Sequence, residues 1–268
     1  MKKISLLQFL FAFTVGLAGG TLAGGSHARA HFLEMIPSAD VPEAGQTVTI
    51  DLAFTHPMER GPAMEMAKPR RFGFFREGKF VDLSAQLKSA PRDGKTAWRA
   101  AWTAAEPGVA VFYAEPEPYW DQGEGKFIIH YTKVIVDAGA SGKGWDSPVG
   151  APVEIEPLVR PTGLWAGNLF RGVVRQNGKP VPFAEVEVEF RNDGSLKAPN
   201  DAFVTQVIKA DGQGVFAYAM PRAGWWGFAA LIEGETKMKS PKGEEAPVEL
   251  GGLVWVKTTA MNASAGAN

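Results

Sequence analysis

Apolar and polar residues alternate along this chain in short runs separated by turn residues, and no stretch keeps a helical period. In Thr47-Val-Thr-Ile-Asp-Leu-Ala-Phe-Thr-His56, the residues Val48, Ile50, Leu52 and Phe54 share one face, as a half-buried strand requires. Arg71 to Arg76, Ala97 to Thr103, Gly108 to Glu115 and Lys126 to Asp137 are read the same way. The small, flexible run Ala138-Gly-Ala-Ser-Gly-Lys-Gly144, with Pro148 and Pro152 close behind, predicts a linker at 138–152. A second set of strands follows: Asn168 to Arg175, Ala184 to Phe190, Phe203 to Lys209, Val215 to Met220, Pro221 to Ile232 and Leu253 to Thr258. Asn177-Gly178 is a hairpin signal, and Asp211-Gly212 marks another turn. Short strands at regular spacing predict an all-β protein, with a sandwich-like domain over 31–137 and a second sandwich over 153–258. The tail, 259–268, is small and polar and predicts disorder.

The rhythm of the second half resembles the Ig-like, transthyretin-like modules related to the carboxypeptidase regulatory domain. Those also run strand, Gly-x-Pro turn, strand, Asp-Gly turn, strand, Pro-x-x-Gly, strand. Such a likeness speaks to fold and says little about function.

The first 30 residues carry a different signal. Lys2 and Lys3 precede the apolar stretch Ile4 to Leu17, and Ala28-Arg29-Ala30 supplies a small-x-small cleavage site. This is the pattern of a secretory signal peptide cut after Ala30, and a bacterial periplasm is the expected destination. Cleavage leaves 238 residues and takes the formal net charge from −1 to −4 by removing Lys2, Lys3 and Arg29. That weak acidity argues against nucleic acid or an anionic membrane as partner. No second long apolar segment follows, so the mature chain is expected not to insert into a membrane. With no cysteine, any metal site must use nitrogen, oxygen or thioether donors.

Cleavage after Ala30 makes His31 the first residue. Its α-amine and ring Nδ1 can then close a chelate on one ion, and both become neutral near pH 7. The mature chain holds two further histidines, His56 and His130, both in the first half. His56 extends the Val48–Phe54 face and stands before Pro57; His130 shares a face with Ile128, Val134 and Val136. Taken singly, each reads as a core histidine with one satisfied hydrogen bond. Three together with a free N-terminus point to a metal site. Met58, Met64 and Met66 are candidate soft donors, with gap-filling in a core as their ordinary role. Glu59 and Glu65 offer oxygen donors or partners for the imidazoles.

Four segments carry a family resemblance: His31-Phe-Leu-Glu-Met-Ile-Pro-Ser38, His56-Pro-Met-Glu with Met64-Glu-Met66, Pro118-Tyr-Trp-Asp121, and Lys126-Phe-Ile-Ile-His-Tyr-Thr-Lys133. Together they resemble the bacterial periplasmic components of cobalt/nickel transport systems, a domain-of-unknown-function family, from His31 to about residue 258. The resemblance implies a β-rich, soluble periplasmic protein that captures Ni²⁺ or Co²⁺ and delivers it to an inner-membrane metal transporter, and the chain is expected to be a binding protein and not an enzyme. It carries His31, His56 and His130 across as ligands. Neutral nitrogen donors suit late first-row divalent ions, and the same set would take Cu²⁺ more tightly in vitro. Affinity is expected to fall below about pH 6.5, as protons compete for the nitrogens.

Two other classes fit parts of the chain. An N-terminal histidine plus a second histidine on a β-sandwich is also the histidine brace of copper oxygenases, with Tyr119, Trp120, Phe127 or Tyr131 as axial or substrate-facing groups. Copper carriage differs only in the metal. An adhesive or carbohydrate-binding module is suggested by Trp225-Trp226, read here as one core ring and one exposed ring. Neither a serine triad nor a phosphate-binding glycine loop is present.

Overall fold

The computed structural model describes residues 31–261; the expected signal peptide and residues 262–268 of the expected tail lie outside the described residues. The first half lays down β1 (Phe32–Pro37), β2 (Thr47–Thr55), β3 (Arg71–Arg76), β4 (Lys79–Asp82), β5 (Lys88–Ser89), β6 (Trp98–Thr103), β7 (Gly108–Glu115), β8 (Tyr119–Asp121) and β9 (Lys126–Ala138). The second half adds β10 (Val153–Pro157), β11 (Leu164–Trp165), β12 (Leu169–Gln176), β13 (Lys179–Pro180), β14 (Glu185–Phe190), β15 (Gln206–Lys209), β16 (Val215–Ala219), β17 (Gly224–Glu233), β18 (Met238–Lys239), β19 (Glu245–Ala246) and β20 (Val248–Thr259). Among the described residues, no helix is long and apolar enough to cross a membrane.

The chain is all-β and sandwich-like, as its alternation predicts. A ten-stranded sheet runs β15-β14-β17-β20-β9-β7-β3-β4, with β11 on β20 and β8 on β9. The four-stranded sheet β1-β2-β6-β5 and the sheet of β10, β12, β13 and β16 make up the other layers. Two separate cores show how the layers stack. Phe32, Met35, Ile50, Phe112, Val134 and Trp255 fill one, and Ile155, Phe170, Val174, Ile135, Phe228 and Val254 fill the other. Ile135 lies between Val134 and Val136 but belongs to the opposite core, so β9 is covered on both faces. The same holds for β7, β17 and β20. The connection 139–152 is free of strands, yet β20 from the second half pairs in parallel with β9 from the first. One sheet therefore crosses the linker.

Local chemistry explains where the strands begin and end. Asn177 and Gly178 both take positive φ, 50° and 77°, as a tight hairpin turn requires, and Gln176 pairs with Lys179 across it. Phe203 departs from expectation. It ends a short 3₁₀ turn, Asp201–Phe203, because the Asn200 side chain accepts from the Ala202 amide at 3.1 Å and competes with extension. The strand there starts only at Gln206. The last strand begins at Val248, earlier than the pattern predicts, because Gly251-Gly252 interrupts the apolar run; it ends at Thr259, the first residue of the expected tail. β1 went unpredicted because all six of its residues are buried, which erases the alternation.

Candidate metal centre

β1 pairs antiparallel with β2, with Phe32 opposite Thr55. One further step along that register brings His31 beside His56, and their ring centroids lie 4.8 Å apart. β1 is anchored right behind this point. The Trp255 indole N–H donates to the Leu33 carbonyl at 2.9 Å, and Phe32 packs on the Trp255 ring at 6.0 Å, fully buried. Burying a phenylalanine contributes about 1.5–3 kcal/mol, so the strand is held by more than its ladder. Gly227 permits this approach, since a Cβ there would sit 2.8 Å from the Trp255 ring and 3.1 Å from Phe32.

The second half fixes the His56 corner. The Met58 amide donates to Glu189 Oε2 at 3.0 Å, and the Asn192 side chain donates to the Met58 carbonyl at 3.0 Å. The Asn192 amide also reaches the Pro57 carbonyl at 3.2 Å.

His31 and His130 both pack on the Phe54 ring, each imidazole centroid 5.7 Å from it. Tyr119 closes the group, 4.9 Å from Phe54 and 6.2 Å from His31. Beside them is an apolar pocket of about 210 Å³ walled by Leu33, Phe54, Met66, Tyr119, Trp120 and His130 among others. Burial pulls the His31 ring down to about 4, with the nearby His56 imidazole adding to it and the Asp121 carboxylate working against it. His31 is therefore neutral at pH 7, the form that binds a cation.

Two carboxylates meet the histidines. Asp121 Oδ2 lies 3.2 Å from His31 Nε2, while its Oδ1 accepts from the amides of Gly123 at 2.7 Å and Glu124 at 3.0 Å. Glu249 Oε1 lies 3.4 Å from His130 Nε2, while its Oε2 takes the Lys126 ammonium at 2.5 Å. Lys126 also pairs with Glu124 at 2.5 Å. Burial opposes ionisation of Glu249, but the His130 contact and Lys126 outweigh it and hold the carboxyl at about 2. A nitrogen of His31 and oxygens of Asp121 and Glu124 lie within 4.8 Å of one another. His130 is 1% exposed, and its Nδ1 is buried without a hydrogen-bond partner. A buried polar atom left unpaired costs about 1–3 kcal/mol, so it calls for an explanation.

The methionines go elsewhere. Met66 is buried in the first core, Met64 packs against that core, and Met58 packs against the second. Glu65 is exposed and accepts from the Thr96 amide at 3.4 Å. Glu59 is exposed too, and its charge helps raise Glu189. Trp226 is buried, and Trp225 is partly buried with the Lys257 ammonium 5.8 Å from its ring centroid.

Glu249, Lys126 and Glu124 were not singled out from the sequence. Only the parallel register of β20 on β9, with Gly251 opposite His130, brings Glu249 to its histidine. Asp121 left a local trace, because an aspartate ahead of Gly123 commonly caps a turn.

The sequence profile of the family described as "Domain of unknown function (DUF4198)" matches residues 28–234. The chain belongs to that family. The match takes in His31, His56, His130 and Asp121 and stops short of Glu249. Its description assigns no metal and no activity. No curated protein matches in sequence. Among solved structures, the chain is similar to the adhesin InvE of Yersinia pseudotuberculosis at 10% identity and TM-score 0.22, covering 82% of this chain and 58% of that one. It is also similar to alpha-2-macroglobulin from Escherichia coli at 13% identity and TM-score 0.25, covering 86% of this chain and 16% of that one. A titin structure, Titin-A168169, is similar at 14% identity and TM-score 0.22, covering 84% of this chain and 98% of that one. The chain thus spans little more than half of the adhesin's length and a small part of the macroglobulin's. Superpositions this loose carry no functional information.

Proposed function

We propose that the mature protein, beginning at His31, is a periplasmic, non-enzymatic binding protein for Ni²⁺ or Co²⁺ that passes the ion to an inner-membrane transporter. The observation that carries this reading is the β1–β2 register, which sets His31 beside His56 at a ring separation of 4.8 Å. A free α-amine at His31 would add a third nitrogen next to those two rings. The unpartnered Nδ1 of His130 and the neutral state of His31 fit the same chemistry. Nitrogen donors of this kind suit late first-row divalent ions. The choice of nickel or cobalt, and delivery to a transporter, rest on the family resemblance of the four segments.

Copper is the second reading, favoured by the same pair of histidines with Tyr119 6.2 Å from His31. A copper oxygenase acting on a polymer needs a flat aromatic platform. Among the described residues, the exposed rings are Trp165, Phe183 and Phe203, all in the second half and none on a strand that carries a histidine. Competitive titration with Ni²⁺, Co²⁺, Cu²⁺ and Zn²⁺, read by native mass spectrometry, tests the proposal. One ion should bind per chain, and binding should be lost in His56→Ala. Equal binding by both proteins, or none by either, would overturn it.

A further inference from the structure

An imidazole captures a cation only through a ring nitrogen that holds a lone pair, and the hydrogen bond made by the other nitrogen decides which one that is. We propose that Asp121 and Glu249 are positioning residues that hold His31 and His130 in the Nε2–H form, so that each ring presents Nδ1 to the cation. This rests on the metal-binding reading of the same site.

Three observations carry it. A carboxylate can only accept, and in both couples its oxygen lies beside Nε2: Glu249 as the hydrogen-bond partner of His130 at 3.4 Å, and Asp121 at ion-pair distance from His31, 3.2 Å. Both carboxylates are pinned through their other oxygen, Asp121 by the amides of Gly123 and Glu124, Glu249 by Lys126. The His130 edge made of Cδ2 and Nε2 lies on Gly251, where any Cβ would collide with it, and its Nδ1 is the atom left buried without a partner. For His31 the consequence is specific. Nδ1 is the ring nitrogen that closes a chelate with an α-amine on the same residue.

The two couples are also tied to each other. Asp121 and Lys126 face across the β8–β9 register, and Lys126 reaches Glu249. A short hairpin therefore sets both carboxylates at once. Direct ligation by Asp121 and Glu124 is the competing assignment, since their oxygens lie within 4.8 Å of His31. Their prior engagement, by turn amides and by Lys126, favours positioning instead.

Long-range ¹H–¹⁵N NMR of the metal-free mature protein reads the tautomers directly. Nε2–H is expected for both rings. In Asp121→Asn and Glu249→Gln, the amide can turn to donate its NH₂, so Nδ1–H should grow. Ni²⁺ affinity should fall about 10–100-fold in each variant, with the urea midpoint unchanged. Nδ1–H rings in the unmodified protein, which is measurable even if a variant fails to fold, would overturn the inference. So would full Ni²⁺ affinity in both variants, or lost affinity without a change of tautomer, which would make the carboxylates ligands. Nε2–H rings in a protein that binds none of the four metals would uphold the positioning and remove the metal-binding reading alone.

Discussion

Two buried polar sites stand three residues apart on β9, and they are built differently. Lys133 points to the second core, where its ammonium meets Glu154 Oε1 at 2.6 Å. Glu154 also accepts the amides of Val149 at 3.0 Å and Gly150 at 3.1 Å. Both of its oxygens are used, and the pair pins β9 to the start of β10. His130 points the other way. It meets Glu249 through one nitrogen and leaves the other buried and unpaired. The first is a closed polar site that acts as a structural staple, whereas the second keeps a buried nitrogen unpaired, the feature on which the metal-binding proposal draws. On that proposal, the contrast separates stability from function within a single strand.

The comparison can be broken in several places. The largest effect should come from His56→Ala, which ought to cut metal affinity by more than about 100-fold, since losing a ligand exceeds the 10–100-fold cost of losing a ligand's hydrogen-bonded partner. Isothermal titration would show it, and the urea midpoint should move far less. Glu154→Ala should do the reverse. It strands a buried ammonium and should cost about 3–5 kcal/mol in urea unfolding, with metal affinity unchanged in the fraction that stays folded.

A smaller effect concerns pH. Burial raises Glu189 to about 8, with the Glu187 charge adding to it and the hydrogen bonds from Thr205 and the Met58 amide opposing. Burial likewise raises Glu187 to about 7. A carboxyl whose folded value lies above its unfolded one stabilises fully below the unfolded value and loses that contribution as pH rises through the folded one. Metal-free stability should therefore decline from about pH 4.5, the ordinary carboxyl value, to about pH 8, and Glu189→Gln should flatten the decline. A profile equally steep in the variant would contradict the assignment. The smallest effect should follow Met66→Leu. A volume-conserving core swap costs under about 1.5 kcal/mol, and metal affinity should hold within twofold if this methionine only fills the core. A large loss of affinity would return its sulfur to the site.

Much of the fold was legible because most strands are covered unequally on their two faces. Val48, Ile50, Leu52 and Phe54 all lie in the first core, and the strand they define runs Thr47–Thr55. β1 was not legible for the opposite reason. Its Glu34 is buried by ion pairs with Arg92 at 2.6 Å and Arg191 at 3.0 Å, so charge and burial do not separate there. The histidines of the candidate centre could be read because they are scarce, with His130 on β9 and His56 directly after β2. Glu249 could not, because 119 residues separate it from His130 and only strand pairing joins them. Nor did a reading of two consecutive halves foresee that Glu189 and Asn192, from the second, would anchor the corner that carries His56.

The most direct test of the central claim is to compare protein that starts at His31 with protein carrying one extra residue in front of it. Both would be titrated with Ni²⁺ in competition with a chromophoric chelator. An amide in place of the amine removes one nitrogen from the chelate and leaves the fold unchanged. One tightly bound ion for the exact N-terminus, with a collapse of affinity for the extended form, is the predicted result. Equal affinity in the two would contradict it and make His31 an ordinary residue at the edge of a sheet.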